Sequence, residues 1–339
     1  MRLLIVTQKV DRNDPILGFF HRWIEEFAKH CERVIVIGQY VGEYALPENV
    51  HVISLGKEGG RSRVAQIINY ELSIINLHRQ YDCVFVHMTP IWVVLGWKIW
   101  FLLRKPIYLW YEARGKRWPL RFSLLAARKI FSASEHGMPL QTKKSVIVGH
   151  GIDTERFCPD ENTERDPTLL VTVGRITRSK RLDVLLRCLQ TLPEAFHLTV
   201  VGMPITDDDS HVLSGMQDFL HNVHLYDRVT ISSLEQPALV PLLQRAGMFL
   251  HASETSLDKA VLEAFACGCP VVSTSSAVQP ELPEQLHVTD ESMAAKVEEF
   301  FALPEEKRSE ICQQLRKNIT EKHGLPVLVQ RLVAEMNVK

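Results

Sequence analysis

Short, unbroken apolar runs recur along this chain at the spacing of a strand followed by a helix, and they restrict it to one broad architecture. The runs fall at 3–7, 33–37, 50–54, 83–87, 106–111 and 145–148, then at 168–173, 196–201, 228–231, 248–251 and 270–273. Helical patterns lie between them, over 18–31, 62–80, 120–130, 180–191, 210–221, 236–245 and 258–267. A strand that is apolar at every position, instead of every second one, has both faces covered. The pattern therefore predicts an α/β fold with doubly wound parallel sheets.

The polar stretch "DTERFCPDENTERDP" (153–167) breaks the series. It lacks apolar periodicity, holds two prolines and reads as a linker. Each side carries its own β/α series, which predicts Rossmann-like domains over 1–152 and 168–310, with a helical tail over 311–339 packing across both. Ligands of such sheets gather at the carboxyl ends of the strands, so two facing domains are expected to enclose a central cleft. No internal repeat at a 20–50-residue period is apparent.

A length of 339 residues suits two domains, and 46% hydrophobic with 23% charged residues suits a soluble chain with sizeable cores. "RLLIVT" after Met1 is too short for a signal-peptide core and reads as the first strand. No window reaches the length of a spanning helix, and the longest candidate, 91–103, is interrupted by Lys98. Seven scattered cysteines, with Cys267 and Cys269 lacking a second pair, fit reduced thiols in a cytoplasmic protein better than zinc ligands. The net charge of −1 hides an asymmetry: residues 1–150 carry +9 and the remainder −10, which suggests different partners for the two halves.

Two stretches of the second half concentrate polar chemistry. In "LLVTVGRITRSKRLDVLLRCL" (169–189) a strand ends at Gly174, Arg175 follows, and Lys180 opens the next helix. Glycine allows close backbone approach, a helix N-terminus offers free N–H groups, and the two cations make a cradle for a diphosphate. Ordinary surface cations at a helix start are the alternative. In "HASETSLDKAVLEAFACGCPVV" (251–272), Ser253, Thr255, Ser256 and Asp258 cluster at a helix start and Glu263 follows among Val261, Leu262, Ala264 and Phe265. A buried carboxylate there needs a partner, which a ribose diol could supply; an exposed Glu on the outer helix face is the alternative. "TDDDS" (206–210) is read as the acid-rich start of a helix, and no metal site is assigned to it.

"VGRITRSKRLDVLL", followed by "SETSLDKAVLEAFACGCPVVST", resembles the retaining GT-B glycosyltransferases of family 4, and "VGHGIDTERFCP" (148–159) is similar to the segment joining their two domains. The resemblance covers essentially the whole chain. It implies a UDP- or GDP-sugar donor, no cofactor, and metal-independent transfer with retention. It implies that Arg175 and Lys180 grip the diphosphate beside Gly174, that Glu263 takes the ribose hydroxyls, that Val229 and Ile231 face the base, and that Gly18 lies near the phosphates. Two departures stand out. The first of two family glutamates falls at Thr255, and "SLDK" looks like a variant in which Thr255, Ser256, Asp258 and Lys259 take sugar or phosphate contacts. Where many relatives carry a histidine the chain has Glu112, so Glu112 and His87 are both candidate catalytic residues in the first domain.

Residues 91–129 hold five of the six tryptophans and nine Lys or Arg against one acid, Glu112. Aromatic and basic residues together suit an anionic bilayer surface, and the long aliphatic runs disfavour nucleic acid; a core helix and strand with incidental cations is the alternative. The expectation is a cytoplasmic enzyme resting on the inner face of the membrane, with a lipid-linked or glycan acceptor. An epimerase or phosphorylase on the same architecture, or a sugar-nucleotide binding protein without turnover, are the rival readings.

Overall fold

The first strand, β1 (Arg2–Val10), shows how the sequence dictates the first unit. Leu3 and Ile5 point to one face of the sheet and Leu4 and Val6 to the other, all fully buried. The neighbouring β2 (Arg33–Val41) repeats the alternation in register, Leu3 beside Val34 and Leu4 beside Ile35. In the computed structural model, which describes all residues except Pro15, Arg114, Lys116, Arg117, Glu235, Thr255, Ser256, Val338 and Lys339, the chain divides into two compact units. The first comprises Met1–Gly151 and Gly324–Lys339, the second Ile152–His323.

Among the described residues the first unit has seven strands, all paired in parallel, in the order β3-β2-β1-β4-β5-β6-β7. The further strands are β3 (Val50–Ser54), β4 (Cys83–His87), β5 (Ile107–Trp110), β6 (Lys129–Ser132) and β7 (Ser145–Ile147). Helix α1 (Phe19–His30) covers one face, joined there by the last helix, α11 (Leu325–Asn337). Helices α2 (Arg63–Asn76), α3 (Pro90–Leu102) and α4 (Trp118–Ala126) cover the other.

The second unit is a five-stranded parallel sheet in the order β10-β9-β8-β11-β12. These strands are β8 (Asp166–Val173), β9 (His197–Val201), β10 (Val229–Ser232), β11 (Ala246–His251) and β12 (Val271–Ser273). Its helices are α5 (Leu182–Thr191), α6 (Asp207–Asn222), α7 (Gln236–Arg245), α8 (Lys259–Ala266), α9 (Met293–Ala302) and α10 (Glu305–His323). From β8 the chain winds outward through β9 and β10, then returns to lay β11 on the opposite side. The carboxyl ends of β8 and β11 therefore flank the switch point, where such sheets bind ligands.

Two boundaries differ from expectation. The stretch 153–167 is part of the second unit, with Phe157 and the preceding Ile152 buried in its core and β8 already begun at Asp166. Its polar composition hid that single aromatic anchor. The tail is divided, α10 belonging to the second unit and α11 to the first. No described helix is long and apolar enough to cross a membrane.

Candidate donor site at the second switch point

The loops that leave β8 and β11 are tied together by main chain, Glu254 N–H donating to Ser179 C=O at 3.1 Å. The first loop turns at Gly174, whose φ of +147° few side chains tolerate, and a Cβ there would lie 2.7 Å from Lys180 Cε. The glycine leaves room for the Lys180 tail to lie over the end of β8. Lys180 Nζ reaches Asp258 Oδ2, whose residue caps α8 by accepting from Ala260 N–H at 3.4 Å. Burial pushes the Asp258 carboxyl up, but the Lys180 ammonium and the His251 ring outweigh it and hold the group far below the usual carboxylate range.

Glu263 faces inward from α8, 6% exposed. Its partner is in its own helix: Lys259, one turn earlier, donates to Glu263 Oε1, with its ammonium 5.9 Å from the centre of the Phe157 ring. The expectation that this acid depends on a ligand for satisfaction is corrected by that contact. Arg175 lies on the same β8 loop, half-exposed, with Nε 3.5 Å from Asp209 Oδ2. Asp209 is the third helical residue of α6 and closes a capping box with Thr206, so the acids of "TDDDS" serve the helix start. Burial raises its carboxyl, but hydrogen bonds from Thr177, Ile205 and Thr206 bring it down to about 2.

The structure thus brings Gly174, Lys180 and Asp258 together at the β8 and β11 ends, with Arg175 on the same loop, while Lys259 and Glu263 pair with each other along α8. Thr255 and Ser256 lie outside the described residues. Val229 and Ile231 are on β10, an edge strand two places from β8. Two polar residues escaped the sequence reading. His251, the last residue of β11, bonds both Ser273 and Asp258, and Arg181 pairs with Glu254 and Asp290. A histidine closing an otherwise apolar strand was the available signal for the first.

His87 and Glu112 belong to the first unit. His87 ends β4, 1% exposed, stacked on Phe20 with ring centres 3.8 Å apart and with Nδ1 3.2 Å from Thr7 Oγ1. Burial drives its pKa down to about 3, so the ring is neutral at ordinary pH. Glu112 is engaged through both oxygens: Ser132 Oγ and Ala133 N–H donate to one, each at 2.7 Å, and Ser134 Oγ to the other at 3.3 Å. Burial raises its pKa against those bonds. Both side chains have packing or loop-holding roles that account for them. Gly18 precedes α1 where a Cβ would lie 2.5 Å from the Asp14 carbonyl, so the approach of the 12–14 backbone demands glycine.

Residues 167–303 match the family model described as glycosyl transferases group 1. A sequence search of curated proteins returned no match. The structure resembles that of Anabaena HepE in complex with UDP and glucose, with a TM-score of 0.75 and 14% identity over 100% of both chains. It also resembles sucrose-phosphate synthase from Thermosynechococcus elongatus, with a TM-score of 0.77 and 14% identity over 99% of this chain and 98% of that one. A third likeness is to the lipopolysaccharide outer core galactosyltransferase WaaB, with a TM-score of 0.68 and 14% identity over 100% of both. The fold is GT-B, two Rossmann-like α/β domains. With a group 1 domain in its second unit, the chain is a glycosyltransferase of the GT-B type.

Proposed function

We propose that the protein is a retaining glycosyltransferase of family 4 that moves a sugar from a UDP- or GDP-sugar to a hydroxyl of a lipid-linked or polysaccharide acceptor, in glycolipid or cell-surface glycan assembly. The observation that carries the reading is the pairing of Lys180 with Asp258 across the loops that leave β8 and β11, inside the matched domain, with Lys259 and Glu263 paired to each other on the helix that follows. HepE, a structural neighbour, was solved with UDP-glucose.

In this reading Arg175 and Lys180 bind the diphosphate and stabilise the charge that grows on it as the sugar leaves. Glu263 accepts from the ribose hydroxyls, with Lys259 already holding one of its oxygens in place. Asp258 and its neighbours Thr255 and Ser256 face the sugar, Gly18 the phosphates, and the β10 end around Val229 and Ile231 the base. The acceptor hydroxyl attacks from the side the leaving group departs, and its proton passes to the departing phosphate oxygen. No step is assigned to His87 or Glu112, since this route needs no protein base.

Most of the tryptophans that first suggested the membrane reading are not what supports it. Trp92, Trp100 and Trp110 are core residues, 5%, 0% and 2% exposed. What faces outward instead is Phe101 and Leu102 on α3, Trp118 and Leu125 on α4, and a stripe of Val64, Ile68, Leu72 and Ile75 along the neighbouring α2. Lys98, Arg104, Arg121 and Arg128 are exposed beside them. Arg114, Lys116 and Arg117 lie outside the described residues. Exposed apolar side chains accompanied by cations on and just after α3 and α4 suit an anionic leaflet.

A thermal-shift panel of UDP-, GDP- and ADP-sugars tests the donor assignment. A UDP- or GDP-sugar at roughly a hundred times its Kd is expected to add about 2.7 kcal/mol to the unfolding free energy. Lys180→Ala is expected to abolish the shift while leaving the unliganded melting point close to that of the parent. Slow release of free sugar supports transfer and interconversion an epimerase; an unchanged shift in Lys180→Ala contradicts the diphosphate role.

A further inference from the structure

Lys180 has two anions to serve, the carboxylate it already touches and the diphosphate of the proposed donor. A buried carboxylate left without donors is costly, so the residue that keeps Asp258 satisfied sets how freely Lys180 can leave it. His251 is that residue. It is 3% exposed at the end of β11, with Nδ1 2.8 Å from Ser273 Oγ and Nε2 3.3 Å from Asp258 Oδ2.

The direction of these bonds follows from what each group can do. The Ser275 backbone N–H only donates, and it reaches Ser273 Oγ at 3.1 Å. Ser273, fully buried and paired in register with His251, accepts there and faces His251 Nδ1 with its hydroxyl proton and second lone pair, so it can serve either role toward the ring. The Asp258 carboxylate only accepts, so Nε2 carries a proton and donates it to Asp258 Oδ2. The same Asp258 oxygen accepts from Lys180, and the other accepts from Ala260 N–H.

We infer that His251 is a positioning residue of the donor site, whose Nε2–H holds Asp258 while Lys180 turns from that carboxylate to the diphosphate. The inference rests on the donor-site reading above. Without this N–H, Lys180 is the one donor left to Asp258 Oδ2 among the described residues, and the carboxylate competes with the diphosphate for it, so the loss appears in donor affinity before it appears in turnover of bound donor.

Three variants separate this from packing. Gln at position 251 places an amide N–H near the Nε2 position, Asn reaches only as far as Nδ1, and Leu has no donor. Affinity for UDP and for GDP is measured by calorimetry, with KM and kcat for hydrolysis of the nucleotide-sugar that the panel selects. His251→Leu and His251→Asn are expected to weaken nucleotide binding and raise KM about tenfold, the scale of one hydrogen bond to a charged group, with kcat within about threefold. His251→Gln is expected to stay within about threefold of the parent throughout. Equal affinities across the series, or His251→Gln as weak as His251→Leu, overturn the inference. So does a loss of thermal stability with unchanged affinity, which assigns His251 to packing alone. Failure of the unsubstituted protein to bind either nucleotide overturns the donor-site reading and removes the basis of this one.

Discussion

His87 carries a pH signature that distinguishes packing from chemistry. Its folded pKa of about 3 lies below the ordinary histidine value of about 6.5, so between these the unfolded chain binds the extra proton. Stability from the buried neutral ring is present above about pH 6.5 and is lost as pH falls toward about 3, at up to about 1.4 kcal/mol per pH unit. Urea midpoints of the first unit at pH 7.5 and pH 5 are expected to diverge in the parent and to converge in His87→Gln, even where that variant is less stable at both. The same acid sensitivity in both proteins would refute the account. At this scale the sequence was informative where a residue type contradicted its surroundings. Glu263 was conspicuous in an apolar helix and is buried against Lys259. Lys180 was marked by its place at a helix start after Gly174 and Arg175, and it meets Asp258. His251 closed an apolar strand but its role was hidden, because its partners Asp258 and Ser273 lie seven and twenty-two residues away and only the pairing of β11 with β12 brings Ser273 to it.

Among the elements, α3 departs most from what composition suggested. It is apolar around its whole circumference, so periodicity could not tell its inner face from its outer, and tryptophan counts pointed to the surface when most of those rings fill the core. The short β6 was read as the end of a helix, since "KIFS" is too brief to show alternation and follows the α4 pattern without a break. The periodic α1, expected over 18–31, runs Phe19–His30, whereas β1, expected over 3–7, extends past its apolar run to Val10. The outward residues of α3 and α4 make the membrane proposal measurable. Phe101→Ser with Leu102→Ser removes two side chains that are 76% and 79% exposed, so little packing is lost. Burying each in a bilayer interface is worth on the order of 1.5–3 kcal/mol. Cosedimentation with phosphatidylglycerol vesicles is therefore expected to fall at least tenfold, with donor hydrolysis in solution unchanged. Undiminished sedimentation would count against this surface.

For the molecule as a whole, the path of the chain sets which parts can fail separately. The second unit is one continuous segment with its own core, whereas the first is completed only when the final helix returns to it. Leu325, Leu328, Val329, Leu332 and Met336 recur on one face of α11 and are buried with α1 against the first sheet, and Tyr108 Oη donates to Met336 C=O at 3.0 Å. Burial of five such side chains at about 1.5–3 kcal/mol each, an upper estimate, is comparable to the about 5–15 kcal/mol that stabilises a typical domain. Deletion of residues 324–339 is therefore expected to unfold the first unit and spare the second. Hydrogen exchange followed by peptide mapping reads the two separately: protection should vanish in β1, β2 and β4 and persist in β8 and β11. Every proposed donor-binding residue except Gly18 belongs to the second unit, so the truncated protein should still bind nucleotide while transferring no sugar. Retained protection in β1 after the deletion would mean that the sheet and α1 suffice without the returning helix, and that its apolar face serves some other end.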